Sequence, residues 1–185
     1  MASVETVTLP HLPDSPIQLS LFKNVQNSAF LRQQLLEGNS DFEYAFLDAS
    51  ILISRNQILA ACFRAITDSL NNRLKSRNVH SEIVFDLSPN NNIAESFRRF
   101  GIQDTSSNVV AVKVLRNPNQ SVAEHLRQNV QGEPVPLTDE ALAEVKDDAR
   151  LRKIYRLDQP KKGETAALGK EAETFIIGSM ALKGS

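Results

Sequence analysis

Cys62, His11, His80 and His125 are the side chains best suited to nucleophilic or proton-transfer chemistry, and their spacing assembles nothing. A catalytic thiol needs a base within hydrogen-bond reach, and a zinc-type site needs several His or Cys ligands at fixed offsets. One cysteine and three scattered histidines with no HxxxH pair offer neither, and a lone cysteine excludes an intramolecular disulfide. Cys62 falls on a helical apolar stripe and reads as a small buried hydrophobe. His80, near Lys75 and Arg77, reads as a surface loop residue, with a phosphate contact as its functional alternative. His125 reads as solvated on an exposed helix, and His11, bracketed by prolines, suggests no partner. Asp139, Glu140, Asp147 and Asp148 resemble a solvated helix face, not a carboxylate pair for acid–base work. The seven glycines spell neither GxxxxGK[ST] nor GxGxxG, and GxSxG, HRD and DFG are absent. No catalytic residue, cofactor or metal ligand is expected, and an enzyme is the weakest functional class.

Charge carries more information. The 185 residues are 41% apolar and 23% charged with a net charge of −1, so the average supplies no field that would attract a polyanion. Residues 133–148 hold a net −5 and residues 150–162 a net +5. That order is partly what helix dipoles favour; its alternative is a basic patch that touches phosphate, joined by Arg73, Lys75, Arg77, Arg98 and Arg99. No apolar run reaches the ~18 residues of a membrane span, and the first residues lack a secretory signal. The expectation is a soluble, intracellular protein without membrane contact.

The elements that must position these groups follow from periodicity and caps. Ile17–Phe22, Tyr44–Leu47, Glu82–Leu87 and Val109–Leu115 read as strands. Asn27 caps a helix to Leu36, stopped by Gly38. Ser54 with Gln57 opens the longest helix, whose stripe is Ile58, Cys62, Ala65, Ile66, Ser69 and Leu70. Asn92 with Glu95 opens another, ended by Gly101; Asn119 or Ser121 starts a helix to about Asn129; Thr138 caps a helical region to about Leu157. Residues 158–170 read as a flexible connector before a final helix, about 171–183, with Ala172, Phe175, Ile176 and Met180 along one stripe and Ile177 beside it. The pattern predicts an α/β (mixed α+β) fold, a single domain over 1–185 with a small sheet packed by helices and a C-terminal helix.

Lys75-Ser-Arg-Asn-Val-His-Ser-Glu-Ile-Val-Phe-Asp-Leu-Ser-Pro-Asn-Asn-Asn-Ile93, followed by Phe100-Gly-Ile102, resembles the core signature of the p53-related-protein-kinase-binding (TPRKB-like) family of KEOPS/EKC complex subunits. Arg152-Lys-Ile-Tyr-Arg-Leu157 is similar to the family's K-I-Y-x-L element, and Leu21-Phe22 with Val25-Gln-Asn27 matches its first strand and helix start. The chain departs at Asp48-Ala49-Ser50, where relatives often carry a proline turn, at Asn78 in place of a frequent threonine, and in the longer 158–170 stretch, which has a fungal look.

The resemblance implies a non-catalytic subunit without cofactor. It implies binding and activation of a small atypical kinase that acts as an ATPase. Through that kinase it implies indirect contact with the transferase that attaches threonylcarbamoyl to tRNA adenosine. It further implies capture of tRNA by its CCA end, presence in cytoplasm and nucleus, and links to telomeres and transcription. Apolar residues in excess of one helix face, Ile93, Phe97, Phe100, Ile102, Phe175, Ile176, Ile177 and Met180, are the expected kinase contacts. Arg73, Lys75, Arg77, Arg98, Arg99, Arg152 and Lys153 are the pool for tRNA phosphates. A free-standing RNA-binding protein is the alternative that the basic patches would also support.

Overall fold

Alternation along Ile17-Gln-Leu-Ser-Leu-Phe22 sends successive side chains to opposite faces of a sheet, and both faces are covered. The computed structural model describes residues 4–117, 121–163 and 167–183. In chain order these form β1 (Glu5–Val7), β2 (Ile17–Lys23), α1 (Ser28–Leu36), β3 (Ala45–Asp48), α2 (Arg55–Leu70), α3 (Val79–Leu87), α4 (Ile93–Phe100), β4 (Val109–Val114), α5 (Val122–Asn129), β5 (Glu133–Val135), α6 (Asp139–Val145), α7 (Asp148–Tyr155) and α8 (Lys170–Leu182). The sheet is antiparallel throughout, in the order β1-β2-β4-β3, and β5 pairs with β2 beyond the end of β1. Ile17 faces Val114 across β2 and β4, and Ala45 faces Val112 across β3 and β4.

Leu19, Leu21, Leu47, Val110 and Val112 pack against α2, α3, α6, α7 and α8, whereas Phe22, Phe46, Val109 and Ala111 pack against α1 and α5. With helices on both faces, all of β4 is buried, which is why its sequence is almost continuously apolar. The fold is a single mixed α/β domain closed by a C-terminal helix, as the pattern predicts. No helix among the described residues is long and apolar enough to cross a membrane.

The expected strand at Glu82–Leu87 is instead helix α3, and the reason is burial. Eight of its nine residues are buried, wedged between the sheet and α2, and because His80, Glu82 and Asp86 are buried along with the apolar residues, no exposed polar face marks the 3.6 period of an amphipathic helix. Its start was nonetheless encoded: the Asn78 side chain accepts from Ser81 N–H, and Ser81 Oγ accepts from Asn78 N–H. The region expected as one helix from Thr138 to about Leu157 breaks at Lys146–Asp147, where Asp147 N–H donates to Ser50 O (2.6 Å) and its side chain caps α7. Asn27 sits at the start of α1 without capping it. Its side chain joins Asn129 O and Gln131 N–H, binding α1 to the end of α5. Gly38 ends α1 with φ +68°, as a left-handed stop requires. Gly101 closes α4 in extended backbone, kept small because a Cβ would stand 2.7 Å from Phe97 O. The edge strands β1 and β5, three residues each, carry no readable alternation. Asn119 lies outside the described residues, as do 164–166 of the connector, and α5 starts after Ser121.

Candidate functional site

A cleft of about 830 Å³ opens between the end of α1, the chain entering β3, the loop before α3, and α4. Its floor is aromatic: Phe42, Tyr44 and Phe46 are buried beneath it, and Ile93 and Phe97 stand half-exposed on the α4 wall. Its rim is basic, with Lys75, Arg77, Arg98 and Arg32. The loop that carries Lys75 and Arg77 is held by one buried carboxylate. Glu82 accepts from Lys75 N–H, from Ser76 N–H (2.8 Å) and from Ser76 Oγ (2.6 Å). With the backbone so tied, both cationic side chains project outward. The Arg77 guanidinium lies over Gly38, one nitrogen 3.0 Å from where a Cβ would be. Among the described residues neither the Lys75 nor the Arg77 side chain pairs with a carboxylate, whereas Arg98 and Arg99 pair with Glu95 and Arg32 with Asp104.

Two histidines sit where sequence reasoning did not put them. His80 is buried in α3, not in a surface loop, and its Nε2 accepts the Val114 N–H of β4 at 3.0 Å. Burial, with Lys113 and Arg116 nearby, pushes its pKa down to about 3, so the ring is neutral. His125 is half-buried rather than solvated. Its Nδ1 shares a 2.8 Å hydrogen bond with Tyr44 Oη, its ring stacks on that tyrosine, and burial lowers its pKa. Burial also pushes the Tyr44 phenol up to about 12. Lys113 reaches from β4 to donate to Glu43 O (2.7 Å) with its ammonium 5.2 Å from the Tyr44 ring centre. Cys62 is buried in α2 as expected, and burial raises its pKa to about 12, far from a nucleophile's range.

The structure sorts the expected contact residues. Of the basic pool, Lys75, Arg77 and Arg98 meet at the cleft. Arg73 pairs with Asp68 at 3.2 Å. Arg152 and Lys153 lie on α7, away from the cleft lining, with Arg152 donating to Asp158 O. Of the apolar pool, Phe100, Ile176 and Met180 are core residues, so they support a surface without forming one, and Ile102 is buried in the cleft lining. Ile93 and Phe97 line the cleft, Phe175 is 53% exposed, and Ile177 is half-buried. The two groups do not share a face: α8 packs on α2, and α4 packs on α3 and β3. Leu70, read as part of the buried stripe of α2, is 63% exposed. With Phe63 seven residues earlier it makes a second apolar line on α2, matched on α8 by Phe175 and Leu182. Asn56 reaches Glu173, and Arg64 reaches Met180 O, so α2 and α8 lie side by side in parallel.

Arg64 also ends α8. Its guanidinium donates to Met180 O (2.6 Å), which also accepts Lys183 N–H (3.3 Å), and to Lys183 O just past the helix end. Lys183 Nζ donates to Phe85 O over the Phe85 ring. Beside it, carboxylates of Asp68, Glu82 and Asp86 converge within 4.8 Å, among the cations Arg64, Arg73 and Lys183. Asp86 is buried, with no hydrogen-bond partner for Oδ2 among the described residues, and burial plus Glu82 push its pKa up to about 7. Its folded value lies above its ordinary 3.8, so the native state holds a proton that the unfolded chain has released, and stability declines as pH rises through that window. Asp86→Asn should therefore raise the melting temperature more at pH 8 than at pH 5. Equal gains at both pH values would show that the carboxyl does not titrate there.

Comparison with known proteins agrees on one family. The model of "Kinase binding protein CGI-121" matches residues 22–184. The EKC/KEOPS complex subunit cgi121 of Aspergillus fumigatus is 52% identical over 186 residues, covering 98% of this chain and 97% of that one. Its counterpart in Aspergillus terreus is 50% identical over all of this chain and 98% of its own length. That of Schizosaccharomyces pombe is 33% identical over 95% of this chain and 98% of its own.

Proposed function

The chain belongs to the CGI-121 family of kinase-binding proteins, and from that premise we propose that it is a non-catalytic EKC/KEOPS subunit that binds the small atypical kinase and holds tRNA by its unpaired CCA end. The cleft carries this reading. It joins unpaired cations to an aromatic floor, which is what a single-stranded tail needs: phosphates at the charged rim, bases against the apolar interior. A chain of net charge −1 attracts a polyanion only where its cations gather, and Lys75, Arg77 and Arg98 gather here. The kinase is assigned to the exposed apolar residues of the neighbouring helices α2 and α8, Phe63 and Leu70 on the one and Phe175 and Leu182 on the other. The transferase is reached through the kinase. The resemblance in sequence supports a place in cytoplasm and nucleus and roles at telomeres and in transcription.

Binding of a short single-stranded RNA ending in CCA, followed by fluorescence anisotropy at several salt concentrations, tests the cleft. The double replacement Lys75→Ala/Arg77→Ala is expected to weaken binding about tenfold or more. It should also lower the slope of log K against log salt by about 1.4, near 0.7 for each single-strand phosphate that the variant no longer neutralises. Unchanged affinity and slope would make these side chains solvated surface and remove the cleft as the RNA site. A free-standing RNA-binding protein would show the same salt dependence but no co-purifying kinase.

A further inference from the structure

We propose that His80 is a base-reading residue of the cleft, donating its Nδ1–H to an acceptor atom of a nucleobase in the RNA tail; this rests on the cleft being the RNA site. The assignment starts from the proton count on the ring. A neutral imidazole has one N–H donor and one acceptor nitrogen. Nε2 accepts the backbone N–H of Val114 at 3.0 Å, so it carries the lone pair and the proton is on Nδ1. Among the described residues Nδ1 has no hydrogen-bond partner, and it is not one of the polar atoms sealed from solvent. His80 lines the cleft. It is thus a donor with fixed tautomer, presented to the ligand by α3 and locked in orientation by β4.

Its surroundings select a base over a phosphate. His80 is only 5% exposed, in the same buried lining as Tyr44 and Phe46, where a phosphate would lose its water. Burial keeps the ring neutral, and the charged groups acting on it, Lys113 of β4 and Arg116 just after that strand, are both cations and act in the same direction. A neutral donor adds nothing to counterion release, so it contributes to selectivity without adding to the salt slope. Lys75 and Arg77, exposed on the rim, are left for the phosphates.

The experiment uses the full chain and a short single-stranded RNA ending in CCA with a free 3′ hydroxyl. His80→Gln keeps an acceptor for Val114 N–H near the Nε2 position and removes the Nδ1 donor. It should weaken binding about tenfold with an unchanged salt slope. Probes in which one base at a time is replaced by an abasic site should show one position whose loss costs the native protein about tenfold and the variant almost nothing. Because His80 is buried and the variant can fail to fold, the native protein supplies a second readout. Its ¹⁵N spectrum should show a neutral Nδ1–H tautomer from about pH 5 to pH 8 that shifts when the RNA is added. If Lys75→Ala/Arg77→Ala abolishes binding but the His80 resonance of the native protein stays still on adding RNA, or if His80→Gln lowers the salt slope, the base-reading role is wrong while the cleft stands. If the double alanine variant binds as the native protein does, the cleft and the role of His80 fall together.

Discussion

Glutamate at both Phe63 and Phe175 is expected to abolish co-purification with the kinase and to leave thermal unfolding nearly unchanged. The two rings are 40% and 53% exposed on α2 and α8, which run side by side in parallel. Leu70 and Leu182, 63% and 71% exposed, lie seven residues further along the same two helices. Apolar side chains of this size, exposed seven residues apart on two neighbouring helices, gain little from burial within the domain. Interface anchors contribute about 2 kcal/mol or more each when truncated, so removing two weakens binding on the order of 10³-fold, and a carboxylate buried without a partner adds to the loss. The control separates docking from folding. Ile176→Glu, at a fully buried position of α8, should lower the melting temperature sharply, whereas the Phe63/Phe175 variant should not. Retention of the kinase by a folded double variant would move the interface off α2 and α8 and back to the half-exposed Ile93 and Phe97 of α4.

What the sequence made legible was what local chemistry decides. The caps at Ser54, Asn92 and Thr138 are seen as hydrogen bonds to Gln57, Glu95 and Ala141 N–H. β2 and β4 lie where alternation and a β-branched run put them. Tertiary burial overrode the local signal at α3, where the same apolar run that suggests a strand belongs to a helix with water on almost no side. His80 was misplaced for the same reason, since reading the segment as a connection before a strand leaves the residue in solvent. The cleft was half legible. Lys75, Arg77 and Arg98 belong to the expected basic pool, but Lys75 and the Phe97 of the α4 wall are distant in sequence, and only the packing of α3 on α4 makes them neighbours. The second apolar line of α2 was missed because Phe63 falls off the core stripe and Leu70 was counted within it. A plot of residues seven apart, separate from the core stripe, would have found it.

Tyr155→Ala is expected to leave the domain largely unfolded near 37 °C. Tyr155 is buried at the junction of three helices. Its hydroxyl donates to Leu87 O at the end of α3 (2.6 Å) and accepts from Gln57 Nε2 of α2 (2.9 Å), while Gln57 Oε1 accepts Ile53 N–H (2.7 Å). Its ring meets Phe100 edge-on at 5.9 Å, at the last turn of α4. Truncating a buried aromatic to alanine costs about 3–5 kcal/mol, and each buried polar group left unpaired adds about 1–3 kcal/mol. Against a total stability of about 5–15 kcal/mol for a domain, that is most of the margin. Tyr155→Phe keeps the ring and unpairs only Gln57 Nε2 and Leu87 O, so it should cost about 1–3 kcal/mol for each of the two groups, less than Tyr155→Ala by the packing loss. Urea unfolding of both variants separates packing from hydrogen bonding. A cost for Tyr155→Phe equal to that of Tyr155→Ala would put the whole effect on the hydroxyl. A cost below about 1 kcal/mol for Tyr155→Ala would mean that α7 is not the pin between α2 and α3. The Lys153-Ile-Tyr-Arg-Leu157 element then has a physical role that needs no ligand. It fixes the ends of α3 and α4, and through α4 it fixes the wall on which Ile93 and Phe97 face the cleft.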